Sequence, residues 1–196
     1  MSLMMGITHQ AIGKLVAVSD GGLYVYGNVR ESACRLEMDS AWQAVDLGDT
    51  THAEINAVGK QSAPVQIKLY LLDCPEIATR MTNSNSMTTT TSSQQPGYQA
   101  RFVAVSDAHN PDLIKVEGVS GIGLRLKDSH GRPVRLGQTG DTVLIDPGQN
   151  VITYTLQAER TAAAFIPGAY HAQVQFSIVG NDSNLLIVFY VQIMPD

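Results

Sequence analysis

Apolar and polar residues alternate with a period of two through most of this chain. Val65, Ile67 and Leu69 alternate with Gln66 and Lys68, and Ile122, Leu124 and Leu126 with Gly123, Arg125 and Lys127. Ile152, Tyr154 and Leu156 are separated by Thr153 and Thr155. The longest such run sets Tyr170, Ala172, Val174, Phe176 and Ile178 against His171, Gln173, Gln175 and Ser177. Successive side chains of a strand point to opposite faces, so strict alternation predicts strands with one face in a core and the other toward water or polar neighbours. Turn residues punctuate the runs: Asp128 to Pro133, Asp146-Pro147-Gly148, and Pro167-Gly168. Glycine accepts positive φ and proline cannot donate to a ladder, so strands stop there. No long amphipathic helix is readable. Many short strands at this spacing predict an all-β sandwich or barrel.

Three segments depart from the alternation. Residues 81–97, centred on a Thr/Ser run at 88–93, are of low complexity and are expected to form a mobile surface loop. Near the N-terminus, Val16, Val18, Leu23 and Val25 are apolar beads around Gly21. Near the C-terminus, Leu185 to Val191 is apolar on both faces, as in a strand covered on both sides. Left exposed, such a strand would aggregate, so it is expected in a core or in a partner.

Composition narrows the function. Of 196 residues, 44% are hydrophobic and 16% charged, enough to build a core. The net charge of -5 carries no basic patch, which argues against nucleic acid as a partner. No apolar run is long enough to cross a bilayer as a helix. His9, His52, His109, His130 and His171 form no metal-binding pair or cluster. Asp107 and His109 lie in a stretch ending Asn110-Pro111-Asp112 that reads as a turn rather than an acid–base site. There is no nucleophile elbow or phosphate loop, and the glycines at 118–123 open a strand, not a helix. Catalytic residues, metal and cofactor are all expected to be absent. The two cysteines, Cys34 and Cys74, are too few and too far apart for a zinc site. Their spacing leaves two readings open: a reduced buried pair, or a disulfide joining two strands.

An ordered set of motifs resembles the subunits of chaperone–usher pili, the fimbrial pilins. Tyr26-Gly27-Asn28-Val29, Ala33-Cys34 and Val45-Asp46-Leu47-Gly48 are similar to that family's opening, in which a cysteine strand precedes a VxLG step. Val65 to Leu69 followed by Asp73-Cys74 resembles its second cysteine strand. Gly121 to Leu126, Gly131 and Arg135-Leu136-Gly137 look like its GIxLxD hairpin, and Pro167 to Ile178 like its closing strand. The resemblance runs from about Gly21 to Val179.

The resemblance implies an immunoglobulin-like β-sandwich that lacks its final strand and is completed by a donor strand. It implies a Cys34–Cys74 disulfide, which in the chain-entropy picture would stabilise the fold by roughly 4 kcal/mol. The implied partners are a periplasmic pilus chaperone, an outer-membrane usher and neighbouring pilus subunits. The implied location is the periplasm in transit and then the cell surface. Val16, Val18, Gly21, Leu23 and Val25 occupy the place of the N-terminal donor strand, and Tyr170, Ala172, Val174, Phe176 and Ile178 that of the strand edging the groove. The chain departs from the family pattern by continuing past Val179. Residues 1–20 are expected to be an N-terminal extension, an added or precursor remnant leading into the donor segment. Residues 21–180 are expected to be the pilin domain, and 181–196 an extra strand. In that strand Leu185, Ile187, Phe189, Val191 and Ile193 form a candidate built-in donor set, for self-complementation or a strand-swapped homodimer. The function expected is a structural subunit of a fimbria that contributes to adhesion. The alternative is a minor or tip adhesin binding a host glycan or protein, although this length leaves no room for a separate lectin domain.

Overall fold

The computed structural model describes residues 34–180 and 187–193. Along the chain they form β1 (Arg35–Leu36), α1 (Met38–Ala41), β2 (Trp42–Val45), β3 (Val65–Cys74), β4 (Thr79–Thr82), β5 (Thr89–Ser92), β6 (Gly97–Val103), β7 (Ile114–Lys115), β8 (Ile122–Lys127), β9 (Val143–Leu144), β10 (Gly148–Arg160), β11 (Ala172–Gly180) and β12 (Ile187–Ile193). Two five-stranded sheets carry the core, ordered β1-β3-β10-β8-β7 and β2-β12-β11-β6-β9. The pairings are antiparallel except one: β12 runs parallel to β2.

The four alternating runs supply the core as their patterns predict. Ile67, Leu69 and Leu71 of β3, Leu124 and Leu126 of β8, and Ile152, Tyr154 and Leu156 of β10 are buried. Facing them from the other sheet are Ala100 and Phe102 of β6 and Val174, Phe176 and Ile178 of β11. The Phe102 ring meets Tyr154 edge-on with centroids 4.7 Å apart and stacks on Phe176 at 5.8 Å. These aromatic contacts, across the sheets to Tyr154 and between neighbouring strands to Phe176, add to the ordinary gain from burying such side chains, about 1.5–3 kcal/mol each.

The outward-facing positions of β8 and β10 are not all in water. Arg125 and Glu159 are only 12% and 6% exposed, and the segment at 59–62 pairs along the edge of β10 beside Glu159. The Arg125 guanidinium donates two hydrogen bonds to the Glu159 carboxylate at 2.8 and 2.7 Å, and Gln61 Nε2 donates a third at 2.6 Å. Burial pushes the Glu159 carboxyl up, but these donors outweigh it and hold the group below the usual carboxylate range.

Two expectations from the sequence are corrected. Residues 81–97 do not form a mobile loop. β4 and β5 make an antiparallel hairpin, with Thr82 opposite Thr89 and Met81 opposite Thr90, and β6 begins at Gly97. Threonine is β-branched and suits a pleated strand, and the Thr82 and Thr89 hydroxyls bond across the pair at 2.8 Å. The Asn83 side-chain oxygen accepts from the N–H groups of Asn85 and Ser86 and closes the turn. A side chain at Gly97 would come within 2.7 Å of Thr79 Cγ2, so glycine lets the hairpin lie against β6. The second correction concerns Tyr170. β11 begins at Ala172, and just before it His171 exchanges both backbone bonds with Glu117, so Tyr170 stands outside the ladder.

Candidate functional site

The Ala172–Gly180 strand is paired along both of its edges. On one side β6 runs antiparallel, from Val103 opposite Gln175 to Tyr98 opposite Gly180. On the other side β12 runs antiparallel in seven consecutive register pairs, from Ala172 opposite Ile193 to Ile178 opposite Ile187. The far edge of β12 meets β2 in parallel over four pairs, from Tyr190 opposite Trp42 to Ile193 opposite Val45. A segment from the end of the chain thus fills the position between an early strand and the closing strand. Parallel neighbours cannot be joined by a tight hairpin, so β12 reaches β2 only because the whole domain lies between them in sequence.

Of the residues expected to edge a groove, Ala172, Val174, Phe176 and Ile178 all point into the core, whereas Gln173 and Gln175 are exposed. Tyr170 is half-buried beside the core, and burial pushes its hydroxyl up. For Ile187, Phe189, Val191 and Ile193 the backbone pairing is described; Leu185 lies outside the described residues. Val16, Val18, Gly21, Leu23 and Val25 also lie outside them.

Cys34 and Cys74 form a disulfide. It links the residue before β1 to the last residue of β3, next to the pairing of Arg35 with Leu72. Asp73 takes a positive φ of 54° immediately before the bond and receives the Arg35 guanidinium at 3.0 Å.

His130 is exposed in its turn, and His171 is exposed with Nε2 3.3 Å from Glu117. Asp107 Oδ1 accepts from the backbone N–H groups of His109 and Asn110, which makes this stretch a turn. Among the described residues no cluster of three or more His, Cys, Asp or Glu could hold a metal ion.

At the opposite side of the second sheet lies a cleft of about 390 Å³ that motif reading did not find. Its floor is Tyr98, Phe102 and Tyr154, and its walls come from the β4–β5 turn and from residues 128–143. Asp128 Oδ1 accepts from the N–H groups of His130 and Arg132, and Arg132 Nε donates to Asp128 Oδ2 at 2.8 Å. Burial pushes the Asp128 carboxyl up, yet the bonds from Arg132 and His130 prevail and hold it below its ordinary value. Asn83 Nδ2 donates to Asp141 Oδ1 at 2.9 Å and ties the hairpin to the facing wall. Burial pushes the Tyr98 hydroxyl up to about 12 and raises Tyr154 further, and the two phenols hydrogen-bond to each other. The signal for this cleft lay in the Asp128 to Pro133 cluster, which punctuates two strands and also builds a wall.

Comparison with known proteins places this architecture. The sequence profile of a family described as "Fimbrial protein" matches residues 23–179. The chain is 28% identical over 163 residues to the probable major fimbrial subunit LpfA of Escherichia coli O157:H7, covering 81% of this chain and 83% of that one. It is 28% identical over 165 residues to the fimbrial subunit type 1 of Salmonella typhimurium, covering 82% and 83%. Among solved structures, it superposes on the P pilus rod subunit PapA with a TM-score of 0.59 at 19% identity, over 76% of this chain and 99% of that one. A subunit in a chaperone–usher pilus gives a TM-score of 0.60 at 20% identity, over 84% and 97%. These two likenesses speak for the fold: a two-sheet pilin sandwich with the disulfide near its first strands. Since the family profile covers most of the chain, from before the first cysteine to the end of β11, the chain belongs to the fimbrial protein family, whose members are structural rather than enzymatic and form cell-surface fimbriae.

Proposed function

We propose that this chain is a structural fimbrial subunit of the chaperone–usher type whose sandwich is completed by its own C-terminal strand. The observation that carries the reading is the position of β12, antiparallel to β11 and parallel to β2. Without it, β11 and β2 would each present a row of unpaired N–H and C=O groups beside the apolar side chains of Val174, Phe176 and Ile178. Strand addition satisfies those groups with main-chain bonds while alternate side chains fill the cleft beneath, and pilin strand donation is a standing example of this chemistry. In transit through the periplasm a chaperone strand would hold the same position, and an outer-membrane usher would oversee the exchange. Val16, Val18, Gly21, Leu23 and Val25 would then be the strand this subunit offers to its neighbour. A subunit with its acceptor position already filled is suited to ending a fibre or to pairing with a copy of itself by exchanging β12. Its contribution to adhesion would come through its place in the fibre.

Removal of residues 181–196 tests this. The truncated protein should lose its cooperative melting transition and aggregate. Adding a synthetic peptide of residues 185–193 should restore the transition. A truncated chain that melts like the full one would show that β12 completes nothing.

A further inference from the structure

The cleft at the β6–β9 side is not needed for strand addition, since β12 lies at the other side of β11. We propose that it is a binding site for a neutral saccharide, a ligand rich in hydroxyl groups and free of net charge. The proposal rests on the cleft alone and is independent of how the position beside β11 is filled.

Size comes first. About 390 Å³ is at the lower end of small-molecule sites, room for one or two sugar rings rather than a folded partner. Charge comes next. The lining carries Arg132 and Arg135 against Asp128 and Asp141, two of each sign, so a charged ligand would meet as much repulsion as attraction. A sugar hydroxyl both donates and accepts, and this lining offers both functions at its mouth. Arg132 and Asp141 are 59% and 57% exposed at the side chain, and the contact between them is a loose 3.7 Å, so each keeps capacity toward the opening.

The floor supplies the third reason. Two phenols bonded to each other use one proton between them, so the Tyr98–Tyr154 pair keeps a second proton for a further acceptor. Both residues line the cleft and each is only 6% exposed. Burying a hydroxyl without a partner is costly, and a ligand oxygen seated here would remove that cost. The walls are also fixed before any ligand arrives. Gly137 and Gly140 donate backbone bonds to Phe102 and Ala100 of β6, and Asn85 Nδ2 donates to the Thr139 carbonyl across the opening. Preorganised walls lower the ordering cost of binding.

The test uses the full chain on an array of neutral and sialylated oligosaccharides, followed by titration of the best neutral binder. Amide shift changes on binding should cluster at residues 83–86, 128–135 and 138–141. Arg132→Ala and Tyr98→Phe should each weaken binding about tenfold, the loss of one well-placed hydrogen bond, in protein that circular dichroism shows to be folded. Tyr98→Phe removes a single buried oxygen, and the wild-type shift map needs no variant at all, so an unfolded Arg132→Ala protein would leave the question answerable. The proposal is overturned by silence across the array, by binding confined to sialylated glycans, by shifts that map elsewhere, or by full affinity in both variants.

Discussion

On one side of β11 the sheet continues into β12 and β2; on the other it continues into β6 and the two-residue β9. The first side is closed by main-chain ladders, seven pairs to β11 and four to β2, above buried aliphatic and aromatic side chains. The second is closed by side chains and loops: Asn83 to Asp141, Asn85 to the Thr139 carbonyl, Arg132 to Asp128. A ladder above apolar pockets accepts any strand of the right alternation, including one from a separate chain. Side-chain bonds between particular loops admit no such substitute, and they leave polar atoms directed at an open cleft. The first design suits exchange of segments and the second a fixed site.

Phe176→Ala should have the largest effect on that contrast. The side chain is 1% exposed and stacks on Phe102 between the two sheets, so its loss should cost about 3–5 kcal/mol in chemical denaturation. Exchange of β12 amides should speed together with those of β11, because one core supports both. If the variant lost less than about 1 kcal/mol, β11 would not be the strand on which the first side depends.

Asn83→Ala should act on the second side alone and more weakly, by roughly 1–3 kcal/mol, since it removes the turn closure and the bond to Asp141 made by a side chain that is itself buried. Amide exchange should rise in β4 and β5 while β11 keeps its protection. Equal loss of protection in β11 would mean that the two sides are one cooperative unit.

What could be read from the sequence follows the same division. β3, β8, β10 and β11 were legible because each buries one face, and Leu69, Leu124, Leu156 and Phe176 mark that face at every second position. The Thr/Ser run was misread because its strand has little apolar surface to bury; Thr82 and Thr89 hold it through backbone pairing and a hydroxyl bond, which leave no hydrophobic period. Tyr170 was misplaced because alternation does not reveal where a strand leaves one partner for another, as His171 does with Glu117. The apolar C-terminal run contributes β12, whose parallel pairing with β2 depends on the finished sandwich. The cleft left only the Asp128 to Pro133 turn as a signal, for a related reason. Asn83, Tyr98, Asp128, Asp141 and Tyr154 come from separate parts of the chain, and none carries a motif.

Acid should produce the smallest of these effects, and only on the polar side. The folded-state pKa of Asp128 lies below its unfolded value of 3.8, because the bonds from His130 and Arg132 outweigh burial. A depressed carboxylate contributes stability that is complete above 3.8 and is lost as the pH falls through the folded value. Near pH 5 the amide signals of His130 and Arg132 should therefore hold still. They should move only at lower pH, with Asp128→Asn abolishing the step. The amides of Val174 and Phe176, on strand β11, should show no step at that pH. A midpoint at or above 3.8 for His130 and Arg132 would mean that the carboxylate does not organise this wall. The fixed-site half of the comparison would then lose its anchor, since Asp128 holds the very arginine that faces Asp141 across the opening.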